Sequence, residues 1–360
     1  MPKKPLKITF FELEHWEKEY FSKHLKNCDM QFIGEHLNEI NVNKIKNADA
    51  IGIFIYSAVN KKILDKLPNL KLIVTLSTGF DHIDLKECRK RKITVCNVPH
   101  YGENTVAEHT FALILNLTRM LHKAYERTIK GDFSIEGLRG IDLQGRILGV
   151  VGVGSIGQHV IRIAKGFEMK VIAYDKFKNL KLAKRLGFKY VNLDYLLKNS
   201  DIITLHVPYS KSTHHLIDKK AISKMKKGAL IINTARGGIV ETSALLEGMQ
   251  SGKIGGAGLD VLEEECFIRE EKQILSKHFL KECDLKTVLQ NHILLKQDNV
   301  IITPHNAFNS WEALHRILDT IILNINSFLK KKPVNVVKYH KRITFITLQL
   351  NVDKSQSDFR

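Results

Sequence analysis

Cysteine is scarce and unpatterned in this chain. Its 360 residues include five (Cys28, Cys88, Cys96, Cys266, Cys283), an odd number with no CxxC pair. That argues against a disulfide framework or a metal-binding ribbon, and for reduced thiols in a cytoplasmic setting. Proline is also sparse, at seven residues, and the 22 glycines follow no repeat, which excludes collagen-like and low-complexity material. No apolar run reaches the roughly 18 residues that a membrane helix needs. The basic residues 1–5 lead into Glu12 and Glu14 with no cleavable apolar segment. Acidic residues are in the minority: 38 Asp and Glu face 56 Lys and Arg, a net charge of +18. Such an excess raises three kinds of partner: nucleic acid, an anionic membrane or a small anionic substrate. The lysines lie in nearly every segment. The densest basic stretch, residues 330–342, holds six Lys or Arg and no acidic residue. No helix-turn-helix or RNP-like motif accompanies them, so nucleic acid ranks last and attraction of small anions first.

The chain otherwise has the composition of a folded protein, 44% hydrophobic and 26% charged, and is long enough for two domains. Short apolar runs at 6–11, 50–55, 70–76 and 93–98 alternate with amphipathic stretches at 16–25, 61–67 and 85–91. The pattern resumes with strands predicted at 146–151, 170–174, 201–205, 229–233, 256–259 and 299–303. Alternation of this kind predicts an α/β fold of two parallel-sheet domains, Rossmann-like or flavodoxin-like. Val106, Thr110, Leu113, Leu117, Met120, Leu121 and Ala124 recur at helical spacing, predicting one long helix over 104–130 between the domains. A last helix is expected over 310–330. In the tail that follows, 343–352 reads as one strand.

The strongest local signal is Gly152-Val153-Gly154-Ser155-Ile156-Gly157, set between an apolar strand and a helix, with Asp175 closing the next strand 18 residues after Gly157. A dinucleotide requires this arrangement. Gly152 permits the tight turn, Gly154 lets backbone approach the pyrophosphate, and Gly157 lets helix pack on strand. The amides of the helix start, Ser155 and Ile156 among them, suit the diphosphate. The Asp175 carboxylate suits a ribose hydroxyl and repels a 2′-phosphate, favouring NAD over NADP. Lys176 and Lys178 beside it pull the other way.

Further polar residues end other predicted strands, where ligands collect in open α/β sheets. Arg236 follows Asn233-Thr234-Ala235, Asp260 follows Gly258-Leu259 with Glu265 five residues on, and His305 follows Thr303-Pro304. Singly, each has an ordinary explanation: a surface ion pair, one glutamate of a run, one of 16 histidines. Together they fit reduction of a 2-keto acid. Such a reaction needs a guanidinium fork for the carboxylate and carbonyl. It needs an acid matched to neutral pH to protonate the carbonyl oxygen, and a carboxylate to orient and charge-balance that acid.

On these residues the sequence resembles the D-isomer-specific 2-hydroxyacid dehydrogenases over residues 6–337. The resemblance rests on Ser77-Thr78-Gly79-Phe80-Asp81, the glycine loop with Asp175, Leu205-His206-Val207-Pro208, Asn233-Thr234-Ala235-Arg236-Gly237, Gly258-Leu259-Asp260-Val261 with Glu265, and Thr303-Pro304-His305. It implies NAD as cofactor and Arg236, Glu265 and His305 as a catalytic triad. It implies that Asp260 holds the nicotinamide end, with His206, Val207, Pro208 and Thr234 also in the cofactor site. It implies that amides around Thr78 and Gly79 grip the substrate carboxylate. It further implies a substrate domain of 1–103 completed by 305–338, an NAD domain of 104–304, a cleft between them, an extension at 339–360, and a homodimer using the long helix. Tyr101 and Phe308 resemble residues of the D-lactate dehydrogenase branch. If they line the pocket, a small 2-keto acid such as pyruvate fits. A larger 2-keto acid and an NAD-sensing corepressor are the alternatives. The charged segment 267–290 departs from the family's motifs.

Overall fold

The computed structural model describes residues 4–263 and 284–337. Glu265, Cys266, Cys283, most of segment 267–290 and the tail from 338, with its expected strand at 343–352, lie outside the described residues. The described chain forms two compact units. One is made from the chain up to Pro99 and again from Ile317 onward; the other is His100–Arg316. No described helix is long and apolar enough to cross a membrane.

The first unit is a five-stranded sheet, with β1 (Leu6–Phe11), β2 (Cys28–Ile33), β3 (Ala50–Ile53), β4 (Leu72–Thr75) and β5 (Thr94–Cys96) in the order β2-β1-β3-β4-β5. Every pair is parallel. Parallel strands need helical crossovers that cover both faces, so central strands are mostly apolar; all four residues of β3 and of β4 are buried. β2 is an edge strand that buries fully none of its residues, and its composition, Cys-Asp-Met-Gln-Phe-Ile, hid it from the sequence reading. Beyond β5, Val336 makes an antiparallel bridge to Cys96, and the amide of Val337 donates to the Val95 carbonyl at 2.9 Å. Asn324, fully buried on the helix Trp311–Leu329, donates to the Asn97 carbonyl and accepts from Asn335, both at 2.9 Å.

The second unit is a seven-stranded sheet of β6 (Ile147–Val151), β7 (Lys170–Tyr174), β8 (Lys189–Tyr190), β9 (Ile202–Leu205), β10 (Ala229–Asn233), β11 (Ile254–Leu259) and β12 (Val300–Ile302). Its order is β12-β11-β10-β9-β6-β7-β8, again all parallel. This is the Rossmann order with one strand added beyond β11. The chain winds outward first to one side of β6 and then, from β9, to the other. That reversal leaves a crevice at the carboxyl ends of β6 and β9.

The single helix expected over 104–130 is two. Glu103–Arg119 and Leu121–Ile129 meet at Met120, whose backbone is left-handed at φ +51°. The Met120 amide still donates to Asn116, and the Asn116 side chain accepts from the His122 amide at 2.9 Å, so the break is capped on both sides. The first helix buries Val106, Thr110, Phe111, Leu113, Ile114 and Leu117, while the second buries no residue. The apolar spacing runs through both and so concealed the break.

On the helix His15–His24, Glu17 accepts from the Glu14 amide at 2.8 Å in a capping box. Burial pushes its carboxyl up to about 7 from 4.5. The folded state therefore holds a proton that the unfolded chain has released, and stability from this group is lost as pH rises from 4.5 to 7. Relative to Glu17→Gln, the wild-type Tm is expected to fall across that window. Parallel Tm curves for the two proteins would contradict it.

Candidate active site

The sheet order decides which loops meet. β12, β11, β10, β9, β6 and β7 are successive neighbours, so the residues just past their carboxyl ends form one row: His305, Asp260, Arg236, His206, the glycine loop and Asp175.

At the loop, Gly152 has φ +95°, and a Cβ there would collide with the His206 carbonyl. A Cβ on Gly157 would collide with the Gly152 carbonyl, whereas one on Gly154 would project into open space. Two glycines are thus required by the protein's own packing. The third keeps clear a surface where the helix Ser155–Gly166 begins and its first amides lack helical acceptors. That open, amide-lined surface fits a diphosphate. Asp175 accepts from the Val153 and Phe177 amides, each at 2.7 Å, so its carboxylate is fixed beside the loop for a ribose. These residues fit NAD.

His206 lies 2.9 Å from the Thr204 hydroxyl through Nε2, while its Nδ1 is buried without a hydrogen-bond partner. Burial pushes the ring down to about 3, so it is uncharged near neutrality. Val207 is half-buried and Pro208 exposed. Thr234 is buried against the helix Glu103–Arg119, its hydroxyl 3.0 Å from that of Thr110. Because Thr110 donates to Val106, Thr234 is the donor of this pair.

Arg236 leaves β10 through a short side-chain lock. Asn233 donates to the Arg236 carbonyl at 2.9 Å and accepts from the Ala235 amide at 3.0 Å. The half-buried guanidinium donates to the Ala235 carbonyl at 2.7 Å. Tyr101 belongs to the same unit, and burial pushes its phenol up to about 12 against the pull of Arg236, leaving a neutral hydroxyl. Phe308 is half-buried there too.

Asp260 is 2% exposed, and its amide continues the sheet to the Asn233 carbonyl. Its carboxylate accepts from the Thr303 hydroxyl at 2.6 Å, the Asn306 amide at 2.9 Å and the Ala307 amide at 3.0 Å. Asp260 therefore straps down the turn that carries His305, a half-buried residue held at φ +52°. The resemblance assigns Asp260 to the cofactor, and nothing in the sequence announces the strap. Nor does any motif mark His109, whose Nε2 lies 3.0 Å from the Thr303 hydroxyl and 3.5 Å from Asp260. Burial lowers the His109 pKa, with Asp260 opposing. The available signal was a polar residue set between Val106, Thr110 and Leu113 on a buried helix face.

In the first unit, Thr78 and Gly79 follow β4. Thr78 donates to the Val98 carbonyl at 2.7 Å, Asn97 donates to the Thr78 carbonyl at 2.8 Å, and Ser77 donates to the Gly79 carbonyl at 2.7 Å. The loop is tied on both sides while Thr78 stays exposed.

A Rossmann sheet with a dinucleotide loop, and an arginine and a histidine past neighbouring strands, defines a class of nicotinamide-dependent oxidoreductases. The chain belongs to the D-isomer-specific 2-hydroxyacid dehydrogenases: the model of that family's NAD-binding domain matches residues 111–307. It is an NAD-dependent enzyme acting on the CH–OH group of D-2-hydroxy acids. A 2-hydroxyacid dehydrogenase homolog from Haemophilus influenzae is 37% identical over 327 residues, 89% of this chain and 95% of that protein. The structure of D-lactate dehydrogenase from Aquifex aeolicus, complexed with NAD and lactic acid, is 40% identical with a TM-score of 0.81, covering 90% of this chain and 96% of that one. The pyruvate reductase of Chlamydomonas reinhardtii is 35% identical with a TM-score of 0.82, covering 92% and 98%.

Replacing Asp175 by Ala removes the charged acceptor beside the loop. NADH affinity is expected to fall roughly tenfold, with NADPH affected less. Titrating both nucleotides by fluorescence checks it, and unchanged NADH affinity would contradict the role.

Proposed function

We propose that the chain reduces pyruvate to D-lactate with NADH. The observation that carries this reading is the strand order, which sets Arg236, Asp260 and His305 past three adjacent strands beside the dinucleotide loop. Pyruvate is supported by Tyr101 and Phe308 and by the relatives named for lactate and pyruvate.

When bound, NADH supplies the hydride. Arg236 offers its fork to the substrate carboxylate and carbonyl oxygen, where negative charge develops. His305 gives a proton to that oxygen, and takes it back in the reverse direction. Glu265, which lies outside the described residues, orients the imidazole and balances its charge. Thr78 and Gly79 bind the substrate carboxylate through backbone amides. His206, Val207, Pro208, Thr234, Ser155 and Ile156 complete the cofactor site. In this reading the substrate domain is 1–103 with 305–338 and the NAD domain is 104–304.

A homodimer and a cytoplasmic setting belong to the same proposal. Leu121, Tyr125 and Ile129 lie at i, i+4 and i+8 of one helix and are exposed, as are Phe133 and Ile135 just beyond. A contiguous apolar stripe of this kind suits a second copy.

A panel of 2-keto acids from pyruvate to branched and aromatic ones, assayed with NADH and NADPH and with product chirality, tests the reading. Pyruvate is expected to be fastest, giving the D product. Arg236→Ala is expected to lower kcat/KM by about a thousandfold, a loss of about 4 kcal/mol in transition-state binding. Preference for a larger acid corrects the substrate, and an Arg236→Ala enzyme with full activity removes that residue's role.

A further inference from the structure

The carboxylate of Asp260 can only accept hydrogen bonds. The Thr303 hydroxyl has one proton, and at 2.6 Å from Asp260 Oδ1 that proton goes to the carboxylate. Thr303 is then left to accept, so His109 Nε2, 3.0 Å away, must donate. The proton count gives the chain a direction: His109 to Thr303, Thr303 to Asp260. Asp260 passes the constraint on. Its two oxygens hold the amides of Asn306 and Ala307, the residues directly after His305. The Thr303 carbonyl holds the His305 amide at 2.9 Å. His305 is thereby clamped from both flanks in a left-handed backbone that a non-glycine residue adopts only under constraint.

We propose that His109 and Thr303 are positioning residues for the reaction, setting through Asp260 the turn that presents His305. This rests on the reading of His305 as the acid and base. The relay lies wholly within the described residues, on the helix Glu103–Arg119, at the end of β11 and just past β12.

The test uses the full chain with NADH and the fastest acid of the panel. His109→Phe keeps a ring but lacks the donor. It is expected to lower kcat about tenfold, with KM and NADH affinity little changed, because a tilted acid impairs the chemical step rather than binding. His109→Gln retains an N–H and is expected to recover most of the rate. Thr303→Val, close in shape, is expected to match His109→Phe. The double variant should then be no slower than either single, because both cut one chain. Should His109→Phe fail to fold, Thr303→Val and His109→Gln read the same link. Wild-type kcat in the Phe or Val variant, losses that multiply in the double variant, or a loss confined to KM would overturn the proposal. His305→Ala separates the two claims: if it retains full activity, the reading of His305 fails, whatever His109 does.

Discussion

The second unit is organised around a carboxylate taken out of water. Asp260 is buried at the end of β11, and three hydrogen-bond donors converge on it from one short turn: a threonine hydroxyl and two amides. A buried charge left without donors costs several kcal/mol, so this turn and Asp260 require one another. The turn sits past β12, the edge strand, which gains its order from β11 alone. Without the strap, His305 would ride on a three-residue edge strand. With it, the imidazole is referred to the centre of the sheet through β11 and, by the Asp260 amide, to β10 and Asn233. The Arg236 loop hangs from the same Asn233. One asparagine and one aspartate therefore fix Arg236 and His305 in a single frame.

Most of this frame was legible in the sequence. β1, β7 and β10 fall on their expected residues, because central parallel strands are short apolar runs with sharp polar ends. The glycine loop, Arg236, Asp260 and His305 were legible because each stands just past such a run, where chemistry in this fold collects. β2 was not, since an edge strand holding Asp and Gln has no apolar run to read. β8 is two residues long. The break at Met120 was invisible because helical spacing continues across it, and what differs is burial: one face of the first helix is buried, and no residue of the second is. His109 carries no motif at all. Its meaning depends on a threonine 194 residues away, a distance over which periodicity says nothing. Glu265 remains a reading of the sequence and the family.

The two units handle polar groups in different ways. In the second, Asn233, Thr234 and Asp260 are buried at the carboxyl edge of the sheet, beside the candidate site. In the first, the fully buried Asn324 serves connectivity instead. Its amide joins the backbone at Asn97 to Asn335, tying an early segment of chain to a late one. These buried polar groups are each satisfied by hydrogen bonds, one set holding the candidate site and the other joining distant segments of chain.

That closure bears on the order of synthesis. The outer edge of β5 is covered by residues 335–337, and the intervening chain forms an entire second unit. As the protein emerges from the ribosome, the first sheet must wait, with one edge of backbone donors and acceptors open, while more than two hundred residues are added. The second unit is contiguous and can fold as soon as it is made. The part of the enzyme that begins first is therefore finished last, and its unpaired β5 edge is a point at which a nascent chain is open to joining a neighbour.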